Sequence, residues 1–151
     1  MKAFHFQLDQ VLKWRSSQVD VEKARLAAAV ARISSLQQNV ATLEAELVSE
    51  GASCSRGTTG DELSLWDAWY KRTRKQITDL HILIAEAEVA LTATRHALVE
   101  ADRRLKLLQN LRETRHRRWL ADWSRELEAF AAESFLSKLQ LENGRARSSS
   151  G

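Results

Sequence analysis

The chain contains no proline, and its five glycines, Gly51, Gly57, Gly60, Gly144 and Gly151, fall in only two places, a ten-residue stretch and the C-terminal tail. Proline breaks a helix interior and glycine weakens one, so everything between those two places is free to be continuous helix. Cys54 is the only cysteine, which excludes an intramolecular disulfide and a multi-cysteine metal site. In its small, polar setting it reads as an incidental thiol rather than a nucleophile. No apolar run approaches the roughly 20 residues needed to cross a bilayer. The opening Met1-Lys2-Ala3-Phe4-His5-Phe6 also lacks the apolar core of a signal peptide. A cytoplasmic location is expected. There is no glycine-rich phosphate loop ending in Lys-Ser or Lys-Thr and no His-Glu-x-x-His zinc motif, and His5, His81, His96 and His116 are scattered. Two long helices offer no concave pocket in which to desolvate a substrate. The expectation is therefore a protein that is not an enzyme, with no catalytic residue, cofactor, metal or small-molecule substrate.

What is present is a seam. Tyr70, Ile77, Ile84, Leu91, Leu98 and Leu105 recur every seven residues, and three positions after each come Thr73, Leu80, Ala87, Thr94, Ala101 and Leu108. A heptad pattern sustained this long argues a coiled coil, and one such helix cannot bury its own stripe. The partner is found upstream. Leu8, Leu12, Val19, Leu26, Ala29, Ile33, Leu36, Val40, Leu43 and Leu47 make a second seam, interrupted by Arg15 and Glu22 at two core positions. Charged side chains there either snorkel outward or reserve a surface for something else, and solvated defects are the commoner case.

Between the seams lies Gly51-Ala-Ser-Cys-Ser-Arg-Gly-Thr-Thr-Gly60, small, polar and read as a flexible loop. Gly51 suits the end of one helix, and Thr59 with Glu62 has the spacing of a capping box that starts the next. A connection this short returns the chain antiparallel. The fold expected is all-α: an antiparallel coiled-coil hairpin with a first helix in residues 1–50, a loop at 51–60, a much longer second helix over 61–142, and a disordered tail at 143–151 after Asn143-Gly144. At about 1.5 Å per residue the first arm spans roughly 65 Å and the second roughly 120 Å. Pairing across the turn leaves the second helix overhanging beyond about residue 107.

On that overhang the heptad phase fades and resumes one residue out of step at Leu120, Trp123, Leu127 and Phe130. From Arg103 to Arg118 there are seven Lys or Arg and one acid, Glu113, followed by Trp119, Trp123, Phe130 and Phe135, although the net charge of the whole chain is only +3. Basic and aromatic residues on a helix without an internal partner favour a docking surface. A second aromatic cluster, Trp66, Trp69 and Tyr70, adjoins the turn; Trp69 lies off the seam and is the better candidate for an exposed anchor.

The opening Phe4-His5-Phe6-Gln7-Leu8-Asp9-Gln10-Val11-Leu12-Lys13-Trp14-Arg15 resembles the start of the flagellar export protein FliJ family, in which an aromatic-x-aromatic-x-Leu precedes a Val-Leu and a basic residue. The resemblance continues in outline through helix, glycine-containing loop and a second helix carrying Gln76-Ile77 and a long leucine-rich seam. The acidic C-terminal end common in the family is thinner here, with Glu126, Glu128, Glu133 and Glu142.

The resemblance implies a non-enzymatic cytoplasmic component of the flagellar type III export apparatus, peripherally associated with the inner membrane and serving flagellum biogenesis and motility. It implies a coiled coil like the central stalk of rotary ATPases, which binds and stimulates the hexameric export ATPase and links it to the export gate's cytoplasmic domain and to export chaperones. Combined with the residue pattern, it assigns Phe4, Phe6, Leu8, Leu12, Arg112, Arg115, Arg117, Arg118 and Trp119 to the ATPase, and Trp66, Trp69 and Tyr70 to the gate or chaperones. The physical features are shared by an injectisome stalk, and they also admit a dimerising coiled-coil adaptor. A basic coiled coil binding nucleic acid is disfavoured, because the tryptophans do not alternate with the basic residues on a base-stacking platform.

Overall fold

The computed structural model describes residues 1–55 and 59–151. Among them there are two helices and no strand: α1, Asp9–Cys54, with 46 residues, and α2, Gly60–Ser148, with 89. The all-α reading and the inequality of the two helices are as expected. The chain divides into two compact units, Arg15–Arg103 and a second made of Met1–Trp14 with Arg104–Gly151.

In the Arg15–Arg103 unit the helices pack antiparallel. Gly51 lies against Trp66, a β-carbon there meeting Cζ2 at 3.9 Å. Further from the turn, Asn39, Thr42 and Leu43 share a groove with Gln76, Asp79, Leu80 and Leu83, and Ala28, Ala29 and Arg32 share one with Ala87 and Ala90. Every seam position assigned from the heptads in this unit is buried or half-buried. The tightest are Val19, Val40 and Ile77, at 4%, 6% and 6% exposure, with Thr73 at 3%. Two helices can cover only one stripe of each other, so the core is a single row and its stability is distributed along the seam.

The charged interruption at Glu22 resolves as snorkelling. Glu22, its side chain 13% exposed, accepts a hydrogen bond of 3.0 Å from Arg25 Nη1, and the Arg25 side chain is 67% exposed. The carboxylate thus leaves its stem in the seam and meets a cation at the edge. Thr94, a polar seam residue, satisfies its hydroxyl by donating 2.9 Å to the Ala90 carbonyl.

The start of α2 follows the expected capping box. Thr59 N donates to Glu62 Oε2 at 3.3 Å, and Glu62 N lies 3.5 Å from Thr59 Oγ1. Asp61 and Glu62 add acid to the first turn, favourable against the positive helix end. Thr59→Ala is expected to cost about 1 kcal/mol, to be seen as a lowered midpoint in urea unfolding; an unchanged midpoint would show that the turn contributes nothing to the hairpin.

Both helix ends at glycine differ from expectation. α1 continues through Gly51 to Cys54, and α2 through Gly144 to Ser148. Neither glycine adopts the left-handed conformation of a helix stop. Serines instead take terminal carbonyls: Ser55 donates to Ala52 at the first end, and Ser148 to Arg145 with Ser149 and Ser150 to Ala146 at the second. Arg145 and Arg147 also suit the negative end of α2. The centre of the expected 51–60 loop, Arg56-Gly57-Thr58, lies outside the described residues.

The second unit corrects the estimate of what α2 leaves uncovered. Met1–Leu8 is not helical and precedes α1. It runs along α2, with Leu12 lining a groove with Gln109 and Arg112, Phe4 against His116, and Met1 reaching Glu126. Extended chain rises about 3.3 Å per residue against about 1.5 Å in a helix. The six residues before the turn at Gln7 and Leu8 can therefore reach along about as much helix as thirteen helical ones would, and a count that treats residues one for one stops short.

Candidate functional site

All nine residues assigned from the sequence to the first docking surface fall in the unit of Met1–Trp14 and Arg104–Gly151. The site is built outward from Phe6, the one apolar side chain of this unit that is closely buried, at 4% exposure. The backbone turns immediately after it, Asp9 N donating to the Phe6 carbonyl at 3.1 Å, and α1 starts from the Leu8 carbonyl, which accepts from Leu12 N at 2.9 Å. The Arg115 guanidinium carbon lies over the Phe6 ring, 5.6 Å from its centroid, a cation–π geometry.

Phe4 meets His116 edge to face, with centroids 4.8 Å apart and planes at 66°. His116, Trp119 and Trp123 form a ladder along α2, stacked at 5.9 Å per step with planes 14° and 15° apart. The spacing of three and four residues is what places three rings on one helix face. Trp119 Nε1 donates to the Lys2 carbonyl at 3.1 Å, so the ladder holds the N-terminal segment by backbone as well as by ring contact. His116 had no role in the sequence reading, where four dispersed histidines look alike. Its signal is the spacing to Trp119 and Trp123.

Phe4, Leu8, Leu12 and Trp119 are half-buried, whereas Arg112, Arg115, Arg117 and Arg118 are exposed. The aromatic residues thus organise the unit, and the arginines form its accessible face. Arg117 is paired with Glu113 one turn earlier. Phe4, Leu12, Gln109, Arg112, Glu113 and His116 line a groove of about 310 Å³ beside this face.

The second cluster belongs to the Arg15–Arg103 unit. Trp66 stacks on Tyr70, with centroids 5.0 Å apart and planes at 24°, and Arg74 lies 5.9 Å over the Tyr70 ring. Trp69, expected to stand exposed, is half-buried. It lines a groove with Trp66, Leu65, Glu46 and Glu50, and those two α1 carboxylates were absent from the sequence reading. Lys71 is drawn to Asp67 at 2.9 Å, and that hydrogen bond holds its ammonium above the ordinary lysine range.

The profile of the family described as flagellar FliJ protein matches residues 4–126. The chain belongs to this family. The match starts at Phe4 and ends at Glu126, and so takes in Phe4, Phe6, the His116, Trp119 and Trp123 ladder, the Trp66, Trp69 and Tyr70 cluster, the four arginines and the seam from Leu8 to Leu108, but not Phe130 or Phe135. No curated protein and no solved structure matches the chain. Membership makes this a flagellar export-related coiled-coil protein of a non-enzymatic structural family. No helix among the described residues is long and apolar enough to cross a membrane.

Proposed function

We propose that this FliJ-family chain works as a central-stalk-like coiled coil that binds and stimulates the hexameric flagellar export ATPase. In this reading it also links the ATPase to the export gate's cytoplasmic domain and to substrate chaperones, at the cytoplasmic side of the inner membrane. The observation that carries it is the gathering of the nine assigned residues in one unit, with Phe4, Phe6 and Trp119 as scaffold and Arg112, Arg115, Arg117 and Arg118 outward. A hexamer whose subunits occupy different states responds to a stalk only if the stalk contacts those states unequally. Exposed arginines on a preorganised helix supply orientation-dependent pairing of that kind, and charge of one sign speeds encounter.

The test is ATP hydrolysis by the same organism's export ATPase, titrated with this protein. Stimulation is expected, and a variant carrying Arg112→Glu, Arg117→Glu and Arg118→Glu should need about tenfold or more protein for the same effect, with the difference shrinking as salt rises. Arg115 is left intact because it covers Phe6. Equal stimulation by the parent and the variant would remove the arginine face from the ATPase contact, and no stimulation by either would remove the stalk reading. Deleting residues 1–12 should abolish the effect by removing the scaffold as well.

A further inference from the structure

Beside the tryptophans of the Arg15–Arg103 unit, α1 carries two carboxylates where its own stability does not favour them. Glu46 and Glu50 are four residues apart and so share a helix face, an arrangement in which like charges repel. Glu50 also approaches the carbonyl end of α1, where the helix dipole is negative and the last turn holds no basic residue. Among the described residues neither carboxylate takes part in an ion pair. Of the four cations that follow the tryptophans on α2, Lys71 is engaged with Asp67 and Arg74 lies over Tyr70, while Arg72 and Lys75 form no ion pair with either glutamate among the described residues. Glu46 and Glu50 open instead on a groove of about 530 Å³ whose other walls are Leu65, Trp66 and Trp69.

We propose that this groove is a clamp for a lysine or arginine side chain presented by a partner polypeptide. Each wall suits one part of such a side chain. The indole face is the best aromatic surface for a cation, and two uncompensated carboxylates supply the opposite charge. Leu65, 73% exposed, gives the aliphatic stem an apolar surface to lie on. An acidic ligand would meet like charge here, and a purely apolar one would strip water from two carboxylates without replacing it. A cation relieves both the repulsion between the glutamates and the conflict of Glu50 with the helix end. The clamp deepens the role proposed above for Trp66, Trp69 and Tyr70, and rests on that reading only for which partner carries the cation.

The probe is acetyl-Gly-Arg-Gly-Arg-Gly-amide, titrated into the full-length protein while the indole N–H resonances are followed, each of the five tryptophans being assigned by substitution. The Trp69 signal is expected to shift saturably with this peptide and not with the matching glutamate peptide. The double variant Glu46→Gln/Glu50→Gln should bind about tenfold more weakly. Because it removes a repulsive pair from an unfavourable helix end, it should melt no lower than the parent, so its weaker binding is not a loss of fold. A Trp69 signal that does not move, an equal response to the glutamate peptide, or unchanged affinity in the double variant would overturn the clamp. The isolated cytoplasmic domain of the export gate and the chaperones are then bound to parent and double variant in turn. Peptide binding that depends on Glu46 and Glu50, alongside equal binding of every export partner by both proteins, would uphold the clamp and overturn the partner placement.

Discussion

Phe6→Ala is expected to release the N-terminal segment from α2 while leaving the Arg15–Arg103 unit intact. Truncating a well-buried phenylalanine costs about 3 kcal/mol or more, and Phe6 is the one closely buried apolar side chain in its unit. What would remain to hold Met1–Leu8 is the Phe4 ring on His116 and Trp119, the half-buried Leu8, one hydrogen bond from Trp119 to Lys2, and a 3.8 Å approach of the Met1 amine to the exposed Glu126. Against these stands the ordering of the segment itself, which costs about 1–2 kcal/mol for each residue held. The balance therefore turns on one ring. The measurement is hydrogen exchange: the Trp119 indole N–H should lose protection as its acceptor on Lys2 departs, while amides around Ile33, Val40 and Ile77 keep theirs. Retained protection at Trp119 would mean that the aromatic ladder, not Phe6, holds the segment. If the stalk reading is right, the same variant should stimulate the export ATPase poorly although its arginines are untouched.

Ile77→Asp should disrupt the hairpin itself. Ile77 is 6% exposed, next to the 3% exposed Thr73 one turn before it. Loss of the isoleucine alone costs about 2–5 kcal/mol, and the aspartate adds a carboxylate in an apolar stripe. The seam does hold charge at Glu22, but glutamate has the length to carry its head to Arg25 at the edge. Aspartate is one methylene shorter and is left in the seam. With few tightly buried side chains sharing the load, a loss of this size is a large part of the total stability of a small unit. Circular dichroism at 222 nm should show most helical signal lost at 25 °C. Ile82→Asp, at a site 53% exposed, is the control and should melt within a few degrees of the parent. Equal melting of the two variants would mean that the heptad seam does not hold this pair of helices together.

These two substitutions divide along the line between what a sequence shows and what it hides. Ile77 was identifiable as core from its heptad position alone, because a helix repeats every 3.6 residues and a buried stripe must repeat with it. The same logic placed Glu22 and Arg15 in the seam and Thr59 with Glu62 at the start of α2, since capping is local and its partners are three residues apart. Phe6 had no such signal. It lies in non-helical chain, where nothing repeats, and its burial depends on how far the segment before α1 reaches along another helix. The glycines misled for a related reason: Gly51 and Gly144 permit a helix stop without requiring one, and Ser55 and Ser148 were able to take terminal carbonyls.

Local and periodic interactions were therefore legible from the residues themselves: two helices of unequal length, their antiparallel pairing, the seam and the cap. Membership of the flagellar FliJ family was legible too, through the aromatic opening that precedes α1. The folded chain alone decided which aromatic residues are scaffold and which residues are surface, because that depends on meetings such as the hydrogen bond of Trp119 to Lys2 and the groove that Glu46 shares with Trp69. Those partners are remote in the chain and share no repeat. No pattern within either segment encodes their meeting; it follows from the direction and reach of one segment laid against another.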